Sequence, residues 1–194
     1  MPVDLLKRPA NQVTRKDREV HDDDWLRALL RRAPLGTLAT VHDGQAFLHS
    51  NLFVYDEAGH AIFLHTARVS RTRANLQRAE RVCFTATEMG RLLPASEALE
   101  FSVEYASVVA FGHGAIVTEC EEARLWLQLL LDKYAPHLRP GVDYRPPVDE
   151  EIRRTTVYRM QIDSWSGKRK HVAEDFPGAF LYMGETEFSA GAVV

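Results

Sequence analysis

The densest run of chemistry-bearing side chains is Phe63-Leu64-His65-Thr66-Ala67-Arg68-Val69-Ser70-Arg71-Thr72-Arg73. It starts on an apolar, strand-like run and ends among polar residues suited to a helix start. It therefore places hydroxyls, guanidinium groups and backbone amides on one bend. A phosphate needs fixed donors of this kind: charge-assisted hydrogen bonds contribute about 1.5 to 3 kcal/mol each, and one arginine can contact two oxygens. Free amides and the dipole at a helix start would add to the attraction. Thr66, Arg68, Ser70, Arg71 and Thr72 are the candidate phosphate donors. The competing reading is a solvated basic loop whose arginines pair with nearby carboxylates. Nucleic acid ranks below a phosphorylated small molecule, because the cluster is short and sits in a chain of formal net charge −3.

Other chemistries find less support. His49, His60, His65 and His113 are scattered, without H-E-x-x-H or Cys/His metal spacing, so no zinc site is expected. Ser50, Ser70 and Ser107 lack a G-x-S-x-G setting. Cys83 and Cys120 form neither a C-x-x-C motif nor a disulfide framework and read as reduced thiols. No apolar stretch approaches the roughly 20 residues that span a bilayer, and the amino terminus lacks an apolar signal core. The expected compartment is the cytoplasm.

The elements that must position the bend are mostly strands. With 194 residues, 45% hydrophobic and 26% charged, the chain suits one folded domain. Asp22, Asp23 and Asp24 before Trp25, Leu26, Leu29 and Leu30 predict a short helix ended by Pro34 and Gly36. Apolar and β-branched runs predict strands over residues 35–41, 45–55, 60–66, 81–88, 101–117 and 155–164, the first three as a meander turned by His42-Asp43-Gly44 and Asp56-Glu57-Ala58-Gly59. A loop punctuated by Gly90 and Pro94 is expected between the fourth and fifth. Gly112 and Gly114 mark a bulge in the fifth run or its division into two strands. In the last, Tyr158, Met160 and Ile162 face away from Val157, Arg159, Gln161 and Asp163. Residues 71–80 read as a surface helix. Thr118-Glu119-Cys120-Glu121 reads as a capping box opening a helix with Leu125, Trp126, Leu129, Leu130 and Tyr134 on one face, followed by a proline-rich loop. The fold class is mainly β with peripheral helices (α+β), about six strands in a barrel or sandwich rather than a parallel α/β sheet. Residues 1–20 are expected as an extension without regular structure, 21–172 as the binding domain and 173–194 as a tail.

Several segments in order resemble the pyridoxamine-phosphate-oxidase-like split-barrel flavoproteins, particularly the branch related to nitroimidazole resistance proteins. Ala33-Pro34-Leu35-Gly36-Thr37-Leu38-Ala39-Thr40 and Asn51-Leu52-Phe53-Val54-Tyr55-Asp56 are similar to that family's first two barrel strands. His65-Thr66-Ala67-Arg68-Val69-Ser70-Arg71-Thr72, then Asn75-Leu76 and Arg81-Val82-Cys83-Phe84, resemble its cofactor-phosphate loop, helix and next strand. Tyr105-Ala106-Ser107-Val108-Val109-Ala110-Phe111-Gly112 resembles the strand that follows.

The resemblance implies a six-stranded split β-barrel holding FMN at a homodimer interface, with the phosphate near residues 68–73. It implies cofactor contacts from Thr37, Leu38, Ala39 and Thr40 and from His65 and Thr66. It further implies that Ser107 and Val108, or residues 165–168 with Trp165 and Lys168, arrive from the partner subunit. Thr72 stands where the family often has lysine, leaving Arg68 or Arg73 to supply charge. Trp165-Ser166-Gly167-Lys168-Arg169 lacks the arginine-x-histidine-aspartate-arginine pattern of true pyridoxamine phosphate oxidases, so vitamin B6 synthesis is not expected. His65 is the candidate proton donor beside the ring, and Lys168 or Arg169 the candidate stabiliser of negative charge on reduced flavin. The expected activity is FMN-dependent oxidoreduction between a nicotinamide or other donor and a small organic acceptor such as a nitroaromatic. The alternative is a non-catalytic flavin- or haem-binding carrier, store or sensor.

Overall fold

The computed structural model describes residues 5–182. The chain runs β1 (Glu19–Val20), α1 (Asp23–Arg32), β2 (Gly36–His42), β3 (Gln45–Asn51), β4 (Val54–Asp56), β5 (Ala61–Ala67), α2 (Arg71–Leu76), β6 (Arg81–Leu93), β7 (Ser102–Ile116), α3 (Cys120–Tyr134), α4 (Asp149–Arg154), β8 (Thr155–Lys170) and β9 (Phe180–Leu181). No described helix is long and apolar enough to cross a membrane. The expected tail is described only as far as residue 182.

α1 forms as its residues predict. The Asp22 carboxylate accepts from the amides of Asp24 and Trp25 at 2.9 and 3.1 Å, Arg31 and Arg32 complement the opposite end of the dipole, and Leu26, Leu29 and Leu30 are buried on one stripe. Asp43 and Gly44 both take positive φ, 49° and 76°, as a tight two-residue hairpin between β2 and β3 requires.

The strands form one antiparallel sheet of path β3-β2-β6-β7-β8-β5-β4, with β1 added to β8 and β9 to β6. β3 and β4 lie at opposite ends of that path but are separated in sequence only by Leu52 and Phe53. From Asn51 to Val54 the chain can reach at most about 11 Å, so the sheet must curl until its ends meet. The result is an open, split barrel. Its interior holds Leu38, Phe53, Ile62, Leu64, Phe84, Val108, Ala110, Tyr158, Met160 and Ile162, with α1 packed against it. A second apolar layer joins Phe63 of β5 to α3, where Trp126 stacks on the Phe63 ring at 3.5 Å.

Leu52 and Phe53 have no ladder partner at the crossing, so their backbone groups need others. The Leu52 amide donates to Asn51 Oδ1 at 2.8 Å, and the Phe53 amide donates to the Tyr134 hydroxyl at 3.1 Å. The Phe53 carbonyl accepts from Lys133 Nζ and Tyr134 at 3.0 and 3.2 Å. Lys133 also donates to the carbonyls of Ala33 and Leu30 at 3.0 and 3.4 Å, closing the end of α1. Its ammonium sits 3.8 Å over the Phe53 ring. The Asn51 amide donates to the His65 carbonyl and ties β3 to β5.

The mainly β class with peripheral helices is observed, and each of the six expected runs contains strand. Nine strands appear among the described residues because 45–55 divides into β3 and β4 and because the short β1 and β9 add to the edges. The expected meander is thus two hairpins at opposite ends of the sheet. The region before residue 21 is not free of structure: it makes short 3-10 turns and β1, and Asn11 Nδ2 reaches the Trp165 carbonyl at 3.4 Å. β6 runs through Gly90, since Arg91 must meet Glu104 of β7 in a two-pronged pair of 2.8 and 3.0 Å. β7 is one strand with a register shift after Phe111. There a Cβ on Gly112 would lie 1.9 Å from the Gln161 carbonyl oxygen. α2 stops at Leu76, and residues 77–80 after it are all exposed. α3 starts after Glu119 without a side-chain cap, so the expected capping box is not formed. α4 lies in the proline-rich stretch read as loop, its first turn closed by Glu151, whose carboxylate accepts from the Val148 amide at 3.0 Å.

Replacing Lys133 with methionine leaves buried carbonyls without a donor and should lower stability by about 2 to 3 kcal/mol, read as a lower urea midpoint at unchanged m. Burial pulls the Lys133 ammonium from 10.5 to about 8. Between those values the unfolded chain binds the proton more readily, so this contribution to stability rises with pH across that window and is absent in Lys133→Met.

Candidate functional site

The bend after β5 is held from inside the barrel. β5 pairs with β8 so that Thr66 lies opposite Thr156 and Leu64 opposite Tyr158. This register brings the Tyr158 hydroxyl to 2.6 Å from Thr66 Oγ1 and 3.1 Å from Ser70 Oγ, with Thr66 and Ser70 themselves 2.9 Å apart. Thr66 donates to the Ala67 carbonyl at 2.9 Å, and Ser70 accepts from the Arg73 amide at 3.2 Å, capping α2. These hydroxyls therefore satisfy one another and fix the turn. Thr72 is 1% exposed and lies 3.2 Å from His49 Nδ1 of β3.

The arginines face the other way. Arg71 is exposed and has no hydrogen bond or ion pair among the described residues. Arg68 donates to the Arg153 carbonyl at 2.9 Å, and Arg73 donates to the Arg68 carbonyl at 3.3 Å. The five expected phosphate donors thus separate by role. Thr66, Ser70 and Thr72 shape the bend, Arg71 is wholly available, and Arg68 retains most of its donors.

His65 is half-buried, and its Nδ1 has no hydrogen-bond partner. Burial first, then the nearby His49, pulls its pKa down, favouring the neutral ring. A buried ring nitrogen without a partner fits a polar group of a ligand, as a heterocyclic edge would supply.

The expected strand contributions are mixed. Thr37 Oγ1 lies 2.8 Å from Ser50 Oγ, and Thr40 accepts from Asn75 of α2 at 2.9 Å. Ala39 lines a cleft of ≈ 450 Å³ on the outer face of the sheet with Cys83 and Phe111. The side chains of Leu38 and Val108 belong to the core, at 2% and 0% exposure. Ser107 pairs with Lys168 across β7 and β8. Trp165 donates to Asp23 Oδ1 at 3.1 Å and packs edge-on against His60. At about 3.3 Å per residue, Trp165 lies roughly 30 Å along β8 from Thr156. One chain therefore does not bring Ser107, Val108, Trp165 and Lys168 to the bend.

Tyr158, His49 and Asn75 escaped the sequence reading as members of this region. Alternation set Tyr158 on one face of its strand with Met160 and Ile162, but its meeting with Thr66 depends on β5–β8 register, which has no local sequence signature.

An antiparallel sheet curled into an open barrel, with a basic bend and a short helix at its mouth, defines a split-barrel protein. Residues 22–169 match the model of the family described as Pyridoxamine 5'-phosphate oxidase, and the chain belongs to that family. No curated protein sequence matches it at a significant level. Similar solved structures include an FAD and heme binding protein from Mycobacterium smegmatis, 23% identical, covering 80% of this chain and 74% of that one at TM-score 0.70. The flavocytochrome Anf3 from Azotobacter vinelandii is 20% identical over 90% of this chain and 85% of that one, at TM-score 0.73. A protein assigned to 5-nitroimidazole antibiotic resistance, from Bacteroides thetaiotaomicron, is 18% identical over 77% and 85%, at TM-score 0.64. At such identities the likeness establishes the fold, not the chemistry.

Thr66→Val should cost about 1 to 3 kcal/mol by removing a shared partner from Ser70 and Tyr158. Denaturant unfolding of Thr66→Val, Tyr158→Phe and the double variant should give losses that are clearly non-additive. Additive losses would show that the hydroxyls do not act as one unit.

Proposed function

We propose that the chain is a flavin-binding oxidoreductase that holds FMN with its phosphate at the bend of residues 66–73. The observation that carries this reading is Arg71, an exposed guanidinium without a partner, on a turn whose shape is locked by Thr66, Ser70 and Tyr158. Such an arrangement offers a dianion the planar donor pair of an uncommitted guanidinium on a fixed stretch of backbone. His65 supplies a second point of support, since its buried Nδ1 has no hydrogen-bond partner within the described chain.

Bound flavin supplies hydride and electron transfer, and the protein's part is to bind, orient and shield. Arg71 anchors the phosphate, with Arg68 adding charge in place of the family's lysine. His65 hydrogen-bonds the heterocycle or the acceptor and holds a proton at a ring nitrogen. Its lowered pKa keeps it neutral, so it orients and exchanges a proton rather than adding fixed charge.

A second copy of the chain completes the site in this reading. β3 is a seven-residue edge strand without a charged side chain, and its Phe47 and Leu48 are exposed. Proteins usually blunt such edges or cover them. Trp165 and Lys168, too distant within one chain, would then arrive from the partner. The acceptor class is a small organic molecule, and a nitroaromatic is suggested by the resistance protein of similar fold. The donor is a reduced nicotinamide or another reduced carrier. Both cysteines are free, which accords with a cytoplasmic setting.

A haem-binding reading has one observation in its favour, the same unpartnered His65 nitrogen, which is a candidate axial ligand. The absorption spectrum of the purified protein separates the two. The flavin reading expects oxidised-flavin bands that bleach on addition of NADH or NADPH and return with an acceptor. A haem spectrum, or a colourless protein that takes up no flavin, contradicts it. Arg71→Ala should weaken FMN binding about 10- to 100-fold, the loss of one charge-assisted contact, measured by fluorescence titration. Unchanged affinity would remove Arg71 from the site.

A further inference from the structure

Several arginines of the protein are matched by carboxylates, Arg27 with Asp24, Arg31 with Glu57, Arg32 with Glu88, Arg91 with Glu104, Arg124 with Asp149 and Arg145 with Glu151, whereas others, Arg78 and Arg159 among them, bond neutral groups. Around the bend, unpaired arginines gather at one cleft. Arg68, Arg71, Arg73 and Arg153 have no ion pair among the described residues. Their partners are backbone and hydroxyl groups: Arg68 donates to the Arg153 carbonyl at 2.9 Å, and Arg73 to the Arg68 carbonyl at 3.3 Å and to Thr156 Oγ1 at 3.4 Å. These bonds hold like charges near one another and supply no counter-charge. Such a cluster presents a local positive field that attracts an anion.

Arg68, Arg73 and Arg153 line a cleft of ≈ 230 Å³ with the hydroxyl-bearing Thr155 and Thr156. Ile116, Val117 and Ile152 give it an apolar wall, and no Asp or Glu is among its lining residues. Its volume is several times the roughly 30 Å³ share of one water, so it accommodates more than a phosphate group alone. Arg71, the residue assigned to the flavin phosphate, does not line it. One phosphate dianion at Arg71 would leave the charge of Arg153 and Arg73 unmatched.

We infer that this cleft is a second anion subsite, which takes the phosphate of an adenine nucleotide and packs its organic part against Ile116, Val117 and Ile152. The inference deepens the flavin reading and rests on it for the assignment of Arg71. The same adenylate chemistry has two sources, the distal half of a flavin adenine dinucleotide or one half of a separate nicotinamide dinucleotide donor.

Calorimetric titration of AMP into the full chain, first free of flavin and then saturated with FMN, tests it. Arg153 is exposed, and its side chain is bonded to nothing in the described chain, so Arg153→Ala retains the fold. AMP should bind saturably to the flavin-free protein, with affinity falling about tenfold or more in Arg153→Ala. FMN affinity in that variant should stay within about twofold of the parent. FAD binding at least about tenfold tighter than FMN, and blocked by AMP, assigns the cleft to a flavin dinucleotide. Equal FAD and FMN affinities, with AMP displaced by NADH or NADPH, assign it to the donor. Absence of AMP binding to the flavin-free parent overturns the inference, as does AMP binding indifferent to Arg153→Ala. Should FMN fail to bind while AMP binds with that dependence, the flavin reading falls and the cleft stands.

Discussion

The fold depends on a short crossing. Leu52 and Phe53 carry the chain from one end of the sheet path to the other, and no strand pairs with them there. A buried backbone in that position is tolerable only if its polar groups find partners. Asn51, Lys133 and Tyr134 supply them. Because Lys133 also closes the last carbonyls of α1, α1, α3 and the barrel seam are joined at one ammonium group. Curling the sheet in this way sets the ends of β3 and β5 side by side, with α2 across the barrel mouth. His49, His65 and Thr72 meet there.

A division of labour at that mouth follows from burial. Hydroxyls facing the barrel cannot be left unpaired, so Thr66, Ser70 and Tyr158 bond one another and lock the turn. Guanidiniums are costly to desolvate and remain at the surface. The bend is thus rigid on one side and cationic on the other. Proposed anion binding draws on both properties: the locked turn fixes where the Arg71 backbone stands, and the exposed guanidinium supplies the charge.

Much of the architecture was legible in the sequence, and for physical reasons. Hydrophobic alternation set Tyr158, Met160 and Ile162 on one face of β8, which the structure turns to the core, and Asp22 with the leucine stripe marked α1. The Asp43-Gly44 turn was equally plain. What depends on long-range pairing was not. The run 45–55 reads as one strand because nothing local betrays that its halves join opposite ends of the sheet. Gly90 reads as a breaker, yet Arg91 and Glu104 keep β6 extended through it. At the site, the basic bend was visible as composition. The split between structural hydroxyls and available arginines depended on the β5–β8 register, and the place of Arg153 beside the bend on a helix hidden among prolines.

A crystal structure of the full chain with FMN is the most direct measure of this account. It predicts the flavin phosphate within hydrogen-bonding distance of the Arg71 guanidinium, with the contacts among Thr66, Ser70 and Tyr158 unchanged. Flavin density whose phosphate lies elsewhere, with Arg71 turned to solvent, would contradict it.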